Sequence, residues 1–130
     1  MYSATTNGIV ISVRPSYLAD RSDPGDGRWL FAYTIEIANT STDMVSLRSR
    51  YWQITDAVGH VEEVHGPGVV GEQPTLKPGD SFTYTSGCPL STPSGIMRGH
   101  FNMQRADGSF FQAEVPAFSL DAPVGTRILN

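Results

Sequence analysis

The fold is decided by residues 29–39, which read WLFAYTIEIAN. Phe31, Tyr33, Ile35 and Ile37 fall on one face of this stretch, and smaller or polar residues fall on the other. Alternation with period two, carried by aromatic and β-branched residues, is typical of a half-buried β-strand. We therefore predict the longest strand of the molecule here.

Shorter segments with the same alternation lie on both sides of this strand, with turn residues between them. They cover residues 9–13, 45–54, 61–64, 81–86, 95–104 and 111–115. Pro78-Gly79 suits the centre of a type II turn, and Asp107-Gly108 predicts a hairpin. No segment has the period of a helix. The pattern predicts one all-β domain over residues 1–130, a sandwich or barrel of about seven or eight strands, with less order in residues 1–7 and 121–130.

Composition narrows the range of partners and locations. The chain has 130 residues, one cysteine, 13 acidic and 9 basic residues, and a formal net charge of −4. A single cysteine allows no internal disulfide, and the acidic balance argues against duplex nucleic acid as a partner. The N-terminus has no basic or apolar signal region, and no apolar stretch is long enough to cross a bilayer. We expect a cytoplasmic protein with no membrane partner.

Residues 66–71, GPGVVG, match the G-x-G-x-x-G string of dinucleotide-binding folds. In those folds a helix follows and directs its N-terminal amides at the pyrophosphate, but Pro74 and Pro78 are incompatible with a helix interior here. Two interpretations remain open. Gly66, Gly68 and Gly71 could shape an amide nest for an anion such as pyrophosphate, or they could simply shape a connection between strands.

A cluster of polar residues after the strand predicted at residues 45–54 does not have the spacing of a metal site. Asp56, His60, Glu62 and Glu63 are close in sequence, and His65 follows, but their spacing matches no established metal motif. We predict no metal ligands and no cofactor.

Single reactive residues are interpreted structurally as well. His100, in an alternating strand, is expected to be a hydrogen-bonded structural histidine, and Trp52 is expected to anchor the core. Cys88 and Ser86 lack the surroundings of a catalytic nucleophile. We therefore predict no catalytic residue and no enzymatic activity.

Taken together, the motifs resemble those of the ApaG family over most of the chain, from about Arg14 to Pro123. The matching segments are residues 28–34 (RWLFAYT), 50–56 (RYWQITD), 66–74 (GPGVVGEQP), 78–79, 84–87 (YTSG), 92–93, 99–101, Gly95, Met97 and Met103. Phe101 stands where the family pattern suggests a tyrosine, which leaves that position a packing role.

This resemblance implies an immunoglobulin-like or fibronectin-type-III-like β-sandwich with antiparallel strands in two sheets. Bacterial members are associated with genes for diadenosine tetraphosphate breakdown, with cobalt tolerance and with magnesium efflux. Related domains in F-box proteins and in a DNA-polymerase-interacting protein look like protein-interaction units. The family pattern supplies no catalytic residue. Its glycine motif, for which pyrophosphate binding has been suggested, falls on Gly66, Gly68 and Gly71.

Three functions follow as hypotheses. The first is a non-enzymatic module that binds a protein partner, or a small anion as a signal, and so influences divalent-cation handling. The alternative is a protein that binds a nucleotide, pyrophosphate or another small phosphate-containing ligand through residues 66–71 and is linked to diadenosine tetraphosphate metabolism. The third is direct metal binding through His60, His65 and nearby acidic residues, which the spacing of these residues does not favour. Exposed strand edges would allow a weak dimer, so a monomer or a weak dimer is expected.

Overall fold

A computed structural model describes residues 1–123 of the chain. The described residues form nine strands and two short 3₁₀ turns, at Ala19–Arg21 and Pro24–Asp26. The strands are β1 (Tyr2–Thr6), β2 (Ile9–Tyr17), β3 (Trp29–Asn39), β4 (Val45–Asp56), β5 (Val61–Pro67), β6 (Thr75–Leu76), β7 (Ser81–Leu90), β8 (Ser94–Arg105) and β9 (Phe110–Asp121).

The strands form two antiparallel sheets. One has the order β1-β2-β3-β7, and the other has the order β5-β4-β8-β9, with β6 paired to β4 beside β5. The predicted β-sandwich is confirmed, and β3 has the bounds that the alternation of residues 29–39 predicts. There are more strands than predicted, because β1 and the two-residue β6 are too short to produce a clear alternating pattern.

The core lies between the two sheets. Alternate residues of β3 point into it, and Trp52 of β4 is buried among them as predicted. Trp52 packs edge-on against Tyr33, Phe101 and Phe118, with ring centroids 5.5 to 6.1 Å apart. Edge-to-face packing of this kind stabilises a core beyond its buried area alone.

The turns predicted at Pro78-Gly79 and Asp107-Gly108 are both present in the structure. Gly79 has φ +91°, and Asp80 N–H donates to Lys77 O over 2.9 Å, as the Pro78-Gly79 pair predicts. Gly108 closes the hairpin between β8 and β9 with φ +89°.

The N-terminus differs from the expectation. The sequence predicts less order in residues 1–7, but Tyr2–Thr6 pairs with β2 over its whole length. One tertiary contact that supports β1 is Tyr2 against Phe118, 6.1 Å between ring centroids. Such a distant partner is invisible to local pattern. At the C-terminus β9 extends to Asp121, and residues 124–130 lie outside the described part of the chain.

The sandwich has two sides, each formed by one edge strand from each sheet. On the β1/β9 side, the Tyr2 and Ser119 hydroxyls lie 3.3 Å apart, and Glu114 N–H donates to the Thr6 hydroxyl over 3.2 Å. On the β5/β7 side, no hydrogen bond joins the two strands. None of the helical segments in residues 1–123 is long and apolar enough to span a membrane.

Candidate functional site

The GPGVVG string is part of a strand and a tight turn. Gly66 and Pro67 end β5, and the chain then reverses at Val69 to Glu72, where Val69 N–H donates to Glu72 O and Glu72 N–H donates to Val69 O, both over 2.8 Å. The two-residue β6 follows, so the sequence-based exclusion of a dinucleotide-binding helix is confirmed. We call residues 66–72 the glycine hairpin.

Gly68 allows the hairpin to close. Its φ is +60°, and a Cβ placed on it would lie 2.2 Å from Glu72 O, well inside van der Waals contact. Its N–H donates to Arg48 O over 2.9 Å, which ties the hairpin to β4. Only glycine fits a position that is both left-handed and in contact with a neighbouring backbone.

Val70 is strained at the exposed tip of the hairpin. Its φ is +43°, and Gly71 follows with φ +81°. Two consecutive positive φ values are the signature of a type I′ turn, which ordinarily has Asn-Gly or Gly-Gly at its centre. A β-branched residue is an outlier there. Yet Val70 is 55% exposed, so its side chain contributes little burial to offset that strain.

Arg50 lies behind the hairpin. It belongs to β4, on the same inward-facing side of the strand as Trp52. It pairs with Gly66 of β5 on one side and with the buried Phe101 of β8 on the other. A Cβ on Gly66 would lie 2.8 to 2.9 Å from the Arg50 guanidinium atoms. The missing side chain of Gly66 therefore makes the space that this guanidinium occupies.

The guanidinium is held by backbone oxygens. Arg50 Nη1 donates to Pro67 O and to Gly68 O, each over 2.9 Å. No carboxylate within residues 1–123 lies at ion-pair distance from Arg50. The site is therefore a half-buried positive charge whose hydrogen-bond partners are neutral, next to a strained turn.

Two core phenols lie within electrostatic reach of Arg50. Burial raises the pKa of Tyr33, and the Ser86 side chain and the Arg50 guanidinium partly offset this. Burial raises the pKa of Tyr84 still further, again with Arg50 acting in the opposite direction. The Tyr84 hydroxyl is buried and has no hydrogen-bond partner among residues 1–123. An unpaired buried hydroxyl costs about 1 to 3 kcal/mol.

Cys88 lies on the same side of the sandwich, in β7. Burial, together with the Glu62 carboxylate, raises the pKa of the Cys88 thiol to about 11. A thiol that stays protonated is a poor nucleophile. The structure therefore gives Cys88 the properties of a small apolar core residue.

Several of the backbone N–H groups that would form the predicted anion nest are already hydrogen-bonded. Gly66, Gly68 and Gly71 lie together in the glycine hairpin, but the N–H groups of Gly68, Val69 and Glu72 donate to backbone oxygens. An anion at this place would depend on Arg50 more than on converging amides. Anion binding by the three glycines stays a prediction.

The acidic and histidine cluster is divided between different parts of the structure. Asp56 Oδ1 accepts the N–H groups of Val58 and His60 and so closes the turn between β4 and β5. Glu63 accepts the Tyr51 hydroxyl over 2.6 Å, which raises the pKa of Tyr51. In the described part of the chain no three histidine, cysteine or acidic side chains are grouped as metal ligands.

An aromatic row on the outer face of the five-stranded sheet was not predicted. His65, Tyr51 and His100 are neighbours across β5, β4 and β8, and the Tyr51 ring centroid lies 4.9 Å from His65 and 5.1 Å from His100. The sequence predicts a hydrogen-bonded His100, whereas the structure stacks it on Tyr51. Strand register decides which residues lie beside Tyr51 and Arg50, and the sequence does not show that register. The one signal for Arg50 in the sequence was a charged residue at a position of β4 that should face the core, two residues before Trp52.

Comparisons with known proteins agree on one family. A family model described as the ApaG domain matches residues 19–105. Protein ApaG of Brucella anthropi is 62% identical, and that of Mesorhizobium japonicum 58% identical, over 130 residues that cover 100% of each chain. A crystal structure described as the putative ApaA protein from Bordetella pertussis has 45% identity and a TM-score of 0.86, over 88% of this chain and 94% of that one.

Proposed function

This chain belongs to the ApaG domain family, and on that premise we propose that it is a non-enzymatic module that binds a protein partner through its glycine hairpin. In bacterial members, family resemblance associates such a module with cobalt tolerance and magnesium efflux. The proposal is that it influences divalent-cation handling indirectly, through the partner.

The observation that carries this proposal is the conformation of Val70. A left-handed valine costs on the order of 1–2 kcal/mol, and strain of this kind persists where the surrounding structure imposes it, often at binding sites. Here the surroundings do so through the paired hydrogen bonds of the turn and the Gly68–Arg48 bond. The result is an apolar side chain fixed in place and exposed to solvent, which supports a preorganised contact for a partner.

Affinity capture with matched variants tests this function. Immobilised wild-type chain, Val70→Asn and Val58→Asn are exposed to extract of the source cell, and retained proteins are quantified by mass spectrometry. Val58 is the control because it is an exposed valine, 81% accessible, in a different turn. We expect a protein retained by wild type and Val58→Asn and lost, by tenfold or more, from Val70→Asn. Equal retention by all three chains, or retention of no protein by wild type, would contradict the proposal.

A second function is favoured by Arg50. A half-buried guanidinium without an acidic partner in the described part of the chain is suited to a phosphate group, and Arg50 lies directly behind the glycine hairpin. On this alternative, pyrophosphate or the phosphate chain of a nucleotide, including diadenosine tetraphosphate, binds where Gly66 leaves the guanidinium accessible.

Amide NMR distinguishes this alternative from the first. The ligands are pyrophosphate, ATP and diadenosine tetraphosphate, and the chains are wild type, Arg50→Gln and Arg98→Gln. Arg98 is the control because it lies on β8, away from the hairpin. Shifts confined to residues 66–72 in wild type and Arg98→Gln, and absent from Arg50→Gln, would support phosphate binding. If no amide of wild type shifted at millimolar ligand, the phosphate-binding alternative would be wrong.

A further inference from the structure

The edge strands of the two sheets differ in how they are protected against pairing. β1 has five residues, and β9 carries Glu114 and Pro116 beside a register shift. β5 carries Glu62 and Glu63 and ends at Pro67. Short length, charge, proline and bulges are the usual means of blocking an edge. β7, SFTYTSGCPL, has ten residues and not one charge.

The pairing of β7 with β3 is also uninterrupted, running from Trp29↔Leu90 to Ala38↔Ser81 without a register shift. Its only proline, Pro89, is next to the last residue of the strand. β7 is therefore a long, regular and uncharged edge, unlike the other three.

The unpaired backbone groups of β7 can be assigned from the ladder. Asn39 N–H donates to Asp80 O over 2.9 Å, and bonded pairs alternate with non-bonded pairs along an antiparallel ladder. Ile37↔Phe82, Ile35↔Tyr84 and Tyr33↔Ser86 are thus the bonded pairs. The residues between them direct their N–H and C=O groups away from β3, and no described strand lies there; these residues are Ser81, Thr83, Thr85 and Gly87.

Side chains next to this edge indicate what it would accept. Phe82 of β7 and Val64 of β5 are apolar and only partly buried against the core. On the outer face, the residues of β7 with unpaired groups are small and exposed. An added strand would therefore place apolar side chains inward, over Phe82, and would meet no charge on β7 itself.

We propose that the β7 edge binds an extended, uncharged segment of a protein partner, apolar at alternate positions, which adds a fifth strand to the β1-β2-β3-β7 sheet. Backbone hydrogen bonds to the unpaired groups supply affinity, and the inward side chains supply selectivity. A second copy of the chain fits less well, because each copy has a formal net charge of −4 and like net charge opposes association. This surface is separate from the glycine hairpin, so either proposal can fail alone.

A peptide library tests the proposal directly. Seven-residue peptides with apolar residues at alternate positions and no charge are screened against the full chain, and bound peptides are located by amide hydrogen exchange. We expect slower exchange at Ser81, Thr83, Thr85 and Gly87. Thr83→Pro removes an N–H that points away from β3, and Thr83→Lys adds an edge charge while keeping every backbone bond. Both variants are expected to weaken binding at least tenfold, whereas Glu63→Lys on the β5 edge leaves it unchanged.

Several outcomes would overturn the proposal. One is that no peptide binds at millimolar concentration. Another is that peptides protect amides outside β7, or that they bind Thr83→Lys as tightly as wild type. A third is that the four β7 amides become protected without peptide as the protein concentration rises, which would identify a second copy as the occupant.

Discussion

The two sides of the sandwich are built from similar strands and are completed differently. On the β1/β9 side, Tyr2 packs on Phe118, and side-chain hydrogen bonds join the edges of the two sheets. The β5/β7 side has an uncharged edge, and among residues 1–123 its arginine has no acidic partner and one buried hydroxyl has no hydrogen bond. The strained valine of the glycine hairpin follows the end of β5.

This difference indicates where to look for function. A fold selected for stability alone would pair buried polar groups and block its edges, as the β1/β9 side does. Local departures from those rules are expected at functional sites. Both binding proposals, and the alternative of phosphate binding at Arg50, fall on the β5/β7 side or on the hairpin that extends from it.

The largest effect is expected at Gly68. Gly68→Ala combines a left-handed φ with a Cβ 2.2 Å from Glu72 O, and we expect it to lower the free energy of unfolding by about 3 to 4 kcal/mol. Gly79→Ala is the control, because its φ is +91° but nothing lies within 4 Å of an added Cβ. It should cost about 1 to 2 kcal/mol. Urea denaturation measures both, and equal losses would show that the contact with Glu72 does not hold the hairpin.

Local sequence rules were sufficient for the β3 strand and for the turn at Pro78-Gly79. In both, the determining chemistry lies within a few adjacent residues. They could not find β1, whose Tyr2 is supported by the distant Phe118.

The same limit applies to the candidate site. The glycine string marked its place, but the role of Gly66 depends on the β4–β5 register that sets it opposite Arg50. Turn preferences would have placed asparagine or glycine at Val70, so its left-handed conformation could only be observed.

An intermediate effect is expected from pH at Cys88. The unfolded thiol ionises near its ordinary pKa of about 8.5, whereas burial raises the folded pKa to about 11. Above pH 8.5 the unfolded chain therefore binds fewer protons, and stability falls as pH rises. The advantage of wild type over Cys88→Ala should shrink by about 3 kcal/mol between pH 8 and pH 11. Urea denaturation at each pH measures the difference in the free energy of unfolding between the two chains. A difference that stayed constant with pH would show that the Cys88 thiol is reached by water and that burial does not raise its pKa.

The smallest effect, and the most direct test, is expected at Val70. Stability and partner capture are both measured on the same preparation of Val70→Asn, with wild type and Val58→Asn beside it. Asparagine tolerates the left-handed region. We therefore predict that Val70→Asn raises the free energy of unfolding by about 1 kcal/mol while losing the partner that wild type captures. Val58→Asn should stay within about 0.5 kcal/mol of wild type and keep that partner. If Val70→Asn were no more stable than wild type and captured the same proteins, Val70 would be neither strained nor a contact, and the account of the glycine hairpin would be wrong.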